Sequence, residues 1–425
     1  MSECVQNTNK EMLLAEANRC LKCKVAKCSK ACPIATDTPT VMKLFLEGKE
    51  QEAGALLFEN NPLSALCSVV CPHENNCYGN CVLGIKKDPI AFYKIEQYIS
   101  GKYIEECEIA TPEKNGMKIA VIGAGPAGIT MSILLAKKGF DVTLMEAEDK
   151  IGGVLRYGIP AFRLPKTKVD AYREVLRRLG VTVKPNCHIG SNLLIDDMFI
   201  DGYDAIFLAV GTAKPNRLGL LGETLGHVHF AIDFLKAPEA YDLGQTVAVI
   251  GAGNVAMDVA RTALRQKGVQ KVIVVNNRRE EDVTATKLEF AEAKEEGVEF
   301  MHLMSVLRIT EDGLVAVDVD VTTTDDGVTY EENMLSAHDI KADTIVLAIG
   351  QGPSSAISEK AQIATTLRGL FVVDENGMTN IPGVFAAGDV VSGPKTVVQA
   401  VAHTKAVAEQ LIKYCYEKKE QKQTC

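Results

Sequence analysis

Two copies of one short pattern constrain the fold of this 425-residue chain more than anything else in it. In the first, an apolar run, Lys118–Ile122, enters Gly123-Ala-Gly125-Pro126-Ala127-Gly128, and a helical stretch follows to about Lys138. The next apolar run, Asp141–Met145, ends on Glu146. The second copy reads the same way: a strand over 245–250, the turn Gly251-Ala-Gly253-Asn254-Val255-Ala256, a helix to about Gln266, and a strand over 271–275. This order predicts two βαβ units that bind dinucleotides. The first Gly permits the turn, the second lets a pyrophosphate approach the backbone, and the third position lets helix and strand pack closely. The helix N-terminus adds N–H groups and a positive dipole end.

The two corners differ in charge. Glu146, at the end of the second strand of its unit, is placed to accept hydrogen bonds from ribose hydroxyls. The second copy carries Asn276-Asn277-Arg278-Arg279 there. Arginines at that corner pair with a 2′-phosphate and favour NADPH over NADH. The plainer reading is two solvated arginines matched by Glu280, Glu281 and Asp282. Two such units imply two different nucleotides, with a tightly bound FAD and an exchangeable nicotinamide cofactor as the obvious pair.

Eight of the thirteen cysteines lie between Cys20 and Cys81, in two runs: Cys20, Cys23, Cys28, Cys32 and Cys67, Cys71, Cys77, Cys81. Such spacings bring several thiolates round one point, as a metal cluster needs. Pro33 and Pro72 directly follow Cys32 and Cys71, a habit of ferredoxin-type segments. The stretch 1–14 is polar with no apolar core, so no signal peptide is expected. No run approaches the roughly 18 apolar residues of a membrane span. A cytoplasmic chain keeps its thiols reduced, which disfavours a disulfide framework. Zinc is the other rival, but only Cys20/Cys23 has the paired C-x2-C form. Iron–sulfur is the preferred reading. The net charge of −9 and pI of about 5.5 give nucleic acid or an anionic membrane no overall basic field.

Elsewhere, apolar periodicity predicts helices over 10–19, 38–47, 50–58 and 89–99, with Asp37 and Thr38 before Pro39 as a helix start. Residues 107–117 turn polar and read as a linker. Strands are expected over 205–212 and 344–351, each ending in a Gly-containing turn, the second at Gly350. A further strand leads to Gly388-Asp389, and Lys395-Thr396-Val-Val-Gln399 opens a helix to about Tyr414. Asp389 leaving a strand beside helix-start N–H groups suits the ribitol and pyrophosphate of a flavin, against the plainer reading of a loop acid. The charged tail 417–425 is expected to fray.

With these landmarks in place the chain resembles a known family over roughly residues 10–415. Arg19-Cys-Leu-Lys-Cys23, Ala31-Cys-Pro33, Asn61-Pro-Leu63, Val70-Cys-Pro72, Tyr157-Gly-Ile-Pro160, Phe162-Arg-Leu-Pro165 and Ala386-Ala-Gly-Asp389 carry the resemblance. It is similar to the small-subunit flavoproteins of bacterial glutamate synthase and to the electron-input half of dihydropyrimidine dehydrogenase, including its separate bacterial subunit. The resemblance implies that the cysteines do not sort by run. Cys20, Cys23, Cys28 and Cys81 would hold one 4Fe-4S cluster, and Cys32, Cys71 and Cys77 a second. The eighth ligand in the family is a side-chain oxygen on the following helix, here Glu96, with the neighbouring Gln97 as the alternative. Cys67 is then a non-ligand and reads as a small buried hydrophobe. His73, between two ligand cysteines, reads as a loop residue.

The same resemblance assigns FAD to the first unit: Gly123, Gly125, Pro126, Ala127, Gly128, Glu146, Gly153, Val154, Arg163, Ile189, Gly388, Asp389 and Thr396. The nicotinamide cofactor goes to Gly251, Gly253, Asn254, Val255, Arg278, Arg279 and Gly350. Relatives that use NADPH carry an Arg where this chain has Asn277, so NADPH and NADH both stay open.

The expected fold is therefore α/β, an N-terminal α-helical domain with two 4Fe-4S clusters followed by two Rossmann-like nucleotide-binding domains. Its divisions are a helical part (1–112), an FAD-binding domain in two segments (117–240 and 351–425) and a nicotinamide-binding domain between them (241–350). Hydride transfer between stacked rings needs orientation more than an acid or base, so no catalytic side chain is expected. The expected partner is a catalytic subunit that accepts the electrons. A dihydropyrimidine dehydrogenase comes first, a glutamate synthase large subunit second, and a free-standing reductase of a small acceptor third. The six-residue step from Cys71 to Cys77 favours the pyrimidine type.

Overall fold

A computed structural model describes residues 10–106, 112–191, 193–324 and 327–424, with side chains up to Gln421. The stretch 1–9, much of the expected linker at 107–117, and Cys425 lie outside the described residues. The chain divides into two compact units. One contains the residues up to Arg156, Ala161–Thr212 and those from Gly352 on; the other contains Tyr157–Pro160 and Ala213–Gln351.

The first unit opens with helices Lys10–Asn18, Lys27–Ala31, Thr38–Leu46, Glu50–Asn60 and Ser64–Val70, then a 3-10 turn Val82–Ile85 and helix Phe92–Glu106. Asp37 caps its helix as expected, accepting the Thr40 amide at 3.3 Å. The periodic apolar positions Leu13, Val41, Phe45, Leu57, Ile95 and Ile99 close one core, and Cys20, Cys77 and Cys81 pack against its edge. The apolar pattern predicts a helix over 89–99, yet the helix starts at Phe92 and reaches Glu106. The two residues before it are committed elsewhere: the Ile90 amide donates to Cys81 Sγ at 3.4 Å and the Ala91 amide to Glu16 at 2.8 Å.

Five parallel strands follow in the order Val384–Ala386, Ala205–Leu208, Lys118–Ile122, Asp141–Met145, Thr182–Lys184. The second unit repeats the arrangement with Val228–Phe230, Thr344–Leu347, Thr246–Ile250, Lys271–Val275 and Glu299–Met301. In both, the strand before the Gly-rich turn has its sequential successors on one side and a later strand on the other. The direction of winding reverses there, and ligands of open α/β sheets bind at such a switch point.

Other features also depart from the sequence reading. An amphipathic helix, Lys166–Arg178, and an antiparallel sheet of Met304–Thr310, Gly313–Thr324, Gly327–Glu332 and His338–Lys341 have no counterpart in it. Helix Val397–Thr424 runs into the tail that the sequence reading leaves outside it. Two of its lysines are anchored, Lys418 donating to the Asp204 carbonyl and Lys419 to the Asn115 carbonyl, each at 2.8 Å. Among the described residues no helix is long and apolar enough to cross a membrane.

Candidate functional site

The cysteines surround two neighbouring cavities. Cys20, Cys23, Cys28 and Cys81 line the first, together with Cys77. Cys32, Cys67, Cys71, Cys77 and Glu96 line the second, with His73 and Asn76. Each cavity thus mixes the two runs. Cys77 lies on both, and it feels the charges of Glu96, Cys71 and Cys32. Among the described residues no three His, Cys, Asp or Glu converge on a point suited to one metal ion. The sulfurs line hollows, as the ligands of a polynuclear cluster do.

Local hydrogen bonding aims donors at these sulfurs. Cys81 Sγ accepts the Ile90 amide, Cys71 Sγ accepts Asn76 Nδ2 at 3.3 Å, and Cys32 Sγ lies 3.4 Å from Thr36 Oγ1. Lys22 adopts φ +49°, a left-handed conformation that costs a side-chain-bearing residue of order 1 kcal/mol, and its amide faces Cys20. Donors of this kind orient metal ligands and tune cluster potentials. Burial pushes the thiols of Cys71 and Cys77 well above their ordinary range. It lifts the Glu96 carboxyl to about 8, with no partner among the described residues offsetting the loss of water. Buried donors that resist ionisation alone are stabilised as anions by a bound cationic centre, so this donor set fits a metal cluster. Cys67 is fully buried beside the second set and burial raises it to about 12. The His73 ring stacks on Tyr93 at 4.1 Å and is held down to about 4 by burial, while its carbonyl gathers the amides of Asn76, Tyr78 and Gly79. Gln97 lies next to Glu96 but is absent from both cavity linings.

The first dinucleotide cradle is built by close backbone approach. A Cβ on Gly123 would lie 2.5 Å from the Ala209 carbonyl oxygen, and one on Gly128 would lie 1.8 Å from that of Gly123. Gly125 caps helix Pro126–Ala136. Gly153, at φ +50°, lies over the turn, its virtual Cβ 2.8 Å from Gly125 Cα, and Val154, itself exposed, begins a short helix. Glu146 is buried and held by the amides of Ala124 (2.6 Å) and Glu148 (3.0 Å); a carboxylate has lone pairs left for a ligand. The Gly388-Asp389 turn comes to the same helix start, with a Cβ on Gly388 3.0 Å from that of Ala127. Burial lifts Asp389 to about 6 although the Lys395 amide donates to it. Thr396 caps the last helix through Gln399, and Ile189 is buried against the sheet. Arg163 is half-buried in the Phe-Arg-Leu-Pro segment. His403, which carries no signal in the sequence, accepts the Gly388 amide on Nδ1 at 3.3 Å.

The second cradle repeats this logic. A Cβ on Gly251 would meet the Ala348 carbonyl at 2.4 Å, Gly253 caps helix Asn254–Leu264, and Val255 packs on its core. Asn254 accepts the Thr286 amide at 2.8 Å, which brings the loop containing Thr284 over the turn. Gly350, at φ +91°, accepts the Asn216 amide. At the basic corner Arg279 is bound by Asp282 at 2.6 Å and Glu281 at 3.3 Å. Arg278 instead stacks on Tyr330, 4.2 Å from the ring centroid, and Tyr330 donates its hydroxyl to Asp282. Tyr330 lies on the antiparallel sheet and has no signal in the local sequence.

Fold and site define an NAD(P)H-dependent FAD and iron–sulfur oxidoreductase, and the chain belongs to the pyridine nucleotide-disulphide oxidoreductase family, whose profile matches residues 117–404 and 77–191. Residues 1–108 match the profile of dihydropyrimidine dehydrogenase domain II, 4Fe-4S cluster. The chain is 32% identical over 430 residues to the glutamate synthase [NADPH] small chain of Escherichia coli K12, covering 94% of this chain and 91% of that one. It is 34% identical over 411 residues to the NAD-dependent dihydropyrimidine dehydrogenase subunit PreT of the same organism, covering 95% and 94%. Among solved structures, Mycobacterium tuberculosis FprA in complex with NADPH superposes with a TM-score of 0.63 over 72% of this chain and 86% of that chain, at 19% identity. That similarity is one of fold.

Proposed function

We propose that this chain is the electron-input subunit of a larger cytoplasmic enzyme, with NAD(P)H as donor, FAD and two 4Fe-4S clusters as carriers, and a catalytic partner subunit as acceptor. A bound flavin accepts a hydride as an electron pair and releases electrons singly, which iron–sulfur clusters carry onward. The observation that carries the reading is the pair of sulfur-lined cavities, one beside the other, in the same unit as the first cradle. In this reading the helical part (1–112) holds the clusters, the segments 117–240 and 351–425 hold FAD, and 241–350 holds the nicotinamide cofactor.

Each residue has a task. Cys20, Cys23, Cys28 and Cys81 hold one cluster; Cys32, Cys71, Cys77 and Glu96 hold the other. The glycine turns admit pyrophosphate, and Glu146 binds ribose hydroxyls of FAD. Asp389 and Thr396 face the flavin side, and Arg278 the nicotinamide nucleotide. The partner is of the dihydropyrimidine dehydrogenase type, which reduces uracil and thymine, in keeping with the Cys71–Cys77 step. The 32% identity to a glutamate synthase small chain favours that enzyme as the second reading.

Iron analysis of anaerobically purified protein tests the centre of the proposal: two four-iron clusters require about eight irons per chain, and one zinc with little iron overturns it. Glu96→Ala is expected to remove or perturb one cluster and leave the other and the FAD intact. Spectra unchanged by that substitution would move the eighth ligand to Gln97 or Cys67. A barrel-bearing flavoprotein that co-purifies in equal amount supports the pyrimidine type, and a very large glutaminase-bearing companion the other. Full turnover of a physiological substrate by the isolated chain would sink both.

A further inference from the structure

The surface over the first cavity has a charge opposite to that of the chain. From Arg19 to Thr36 the sequence contains five basic residues and not one Asp or Glu, in a protein of net charge −9. The segment at 81–90 lines the same cavity and adds Lys86 and Lys87 against a single acid, Asp88. Arg19 ties the two segments together by donating to the Asp88 carbonyl at 2.5 Å. Lys22, Lys24, Lys27, Lys30, Lys86 and Lys87 are all exposed, and among the described residues none of them forms an ion pair.

Three large apolar side chains in the same two segments are also exposed: Leu21 is 58% exposed, Val25 64% and Ile85 72%. Leu21 and Lys27 line the cavity itself, so the face reaches the sulfurs directly. An apolar centre with a charged rim is the anatomy of a protein interface, and a basic rim selects an acidic counterpart. Small, charge-steered contacts are also the form that electron-transfer encounters take.

We infer that this face docks a protein whose acidic surface surrounds a one-electron centre, and that electrons leave over the first cavity. The inference rests on the relay proposed above and adds the exit point and the chemistry of the partner. The balance is simple: each NAD(P)H oxidised yields NAD(P)+, one proton and two electrons, so two one-electron acceptors are reduced.

Cytochrome c and its succinylated form test this, because they share a haem fold and carry opposite charge. NAD(P)H-driven reduction is followed anaerobically with the holoprotein. Expected is a kcat/KM for the acidic form about tenfold above that for the basic form at an ionic strength of about 0.01 M, shrinking at about 0.15 M as the screening length falls from about 30 to about 8 Å. Combined Lys24→Glu, Lys86→Glu and Lys87→Glu should reverse the preference while reduction of a small uncharged quinone and the iron content stay constant. Equal rates for the two forms, or a preference insensitive to salt and to the substitutions, overturn the docking face. Persistence of cytochrome reduction in Cys23→Ala protein lacking the first cluster overturns the relay instead. Binding to phosphatidylserine vesicles that the same substitutions abolish, with no cytochrome preference, would assign the face to a membrane.

Discussion

At Gly128 a single methyl group decides whether the first cradle exists. Its virtual Cβ lies 1.8 Å from the Gly123 carbonyl oxygen, and the obstacle is backbone rather than a yielding side chain. Gly128→Ala is expected to open the turn, cost about 1–3 kcal/mol or more, and yield protein with a depleted flavin-to-protein absorbance ratio. Gly101, also within a helix, offers a control, since nothing lies within 4 Å of its virtual Cβ. The basic corner of the second cradle separates its two arginines. Arg279 is neutralised by Asp282 and Glu281, whereas Arg278 lies on an aromatic face. If Arg278 meets a 2′-phosphate, Arg278→Ala lowers kcat/KM for NADPH about tenfold, some 1.4 kcal/mol, and leaves NADH nearly unchanged. Equal losses for both nucleotides would remove it from cofactor selection.

Helices in the second unit are joined by charge as well as by apolar contact. Arg261 on Asn254–Leu264 is buried and reaches Glu289, Glu292 and Glu296, and Arg265 reaches Glu296 twice. Arg261→Ala takes a buried cation away from three carboxylates, of which Glu289 is itself buried, so it is expected to destabilise this unit by about 3–5 kcal/mol, read as a lower melting temperature. The Arg265 and Arg261 guanidiniums hold the Glu296 carboxyl down to about 2. Its folded value lies below its unfolded value near 4.5. The contribution is therefore complete above about pH 4.5 and is lost as pH falls toward about 2. Glu296→Gln protein should melt lower than wild type at pH 7 and lose less on acidification below about pH 4.5. Parallel losses in the two proteins would show that Glu296 is not the group responsible.

For the molecule as a whole, the second unit is an insertion. The chain leaves the first sheet after strand Ala205–Leu208 and returns to it at Val384–Ala386, and these two strands pair directly. A unit with its own parallel sheet and its own core can fold alone. Residues 213–351 expressed by themselves are expected to melt cooperatively and to bind a nicotinamide dinucleotide, measured by calorimetry, without FAD. A fragment that stays unfolded would make the second unit dependent on the first. The overall charge of −9 is likewise an average, and it conceals the basic face over the first cavity.

Much of the α/β framework is legible because its signals are local. Strands Lys118–Ile122, Asp141–Met145 and Lys271–Val275 lie where their apolar runs put them, and each glycine turn follows from sterics within a few residues. Helix Lys166–Arg178 has an equally local pattern in Val169, Tyr172, Val175 and Leu176, but the charged residues between them dilute its apolar signal. Local pattern is enough to establish two dinucleotide units and a block of closely spaced thiols. Packing alone selects which thiols share a cavity, puts Cys77 on both, and brings Tyr330, Thr284 and His403 to the cradles. Those contacts join residues far apart in the chain, and they arise from side-chain packing and long-range hydrogen bonds, which leave no periodicity in the sequence nearby.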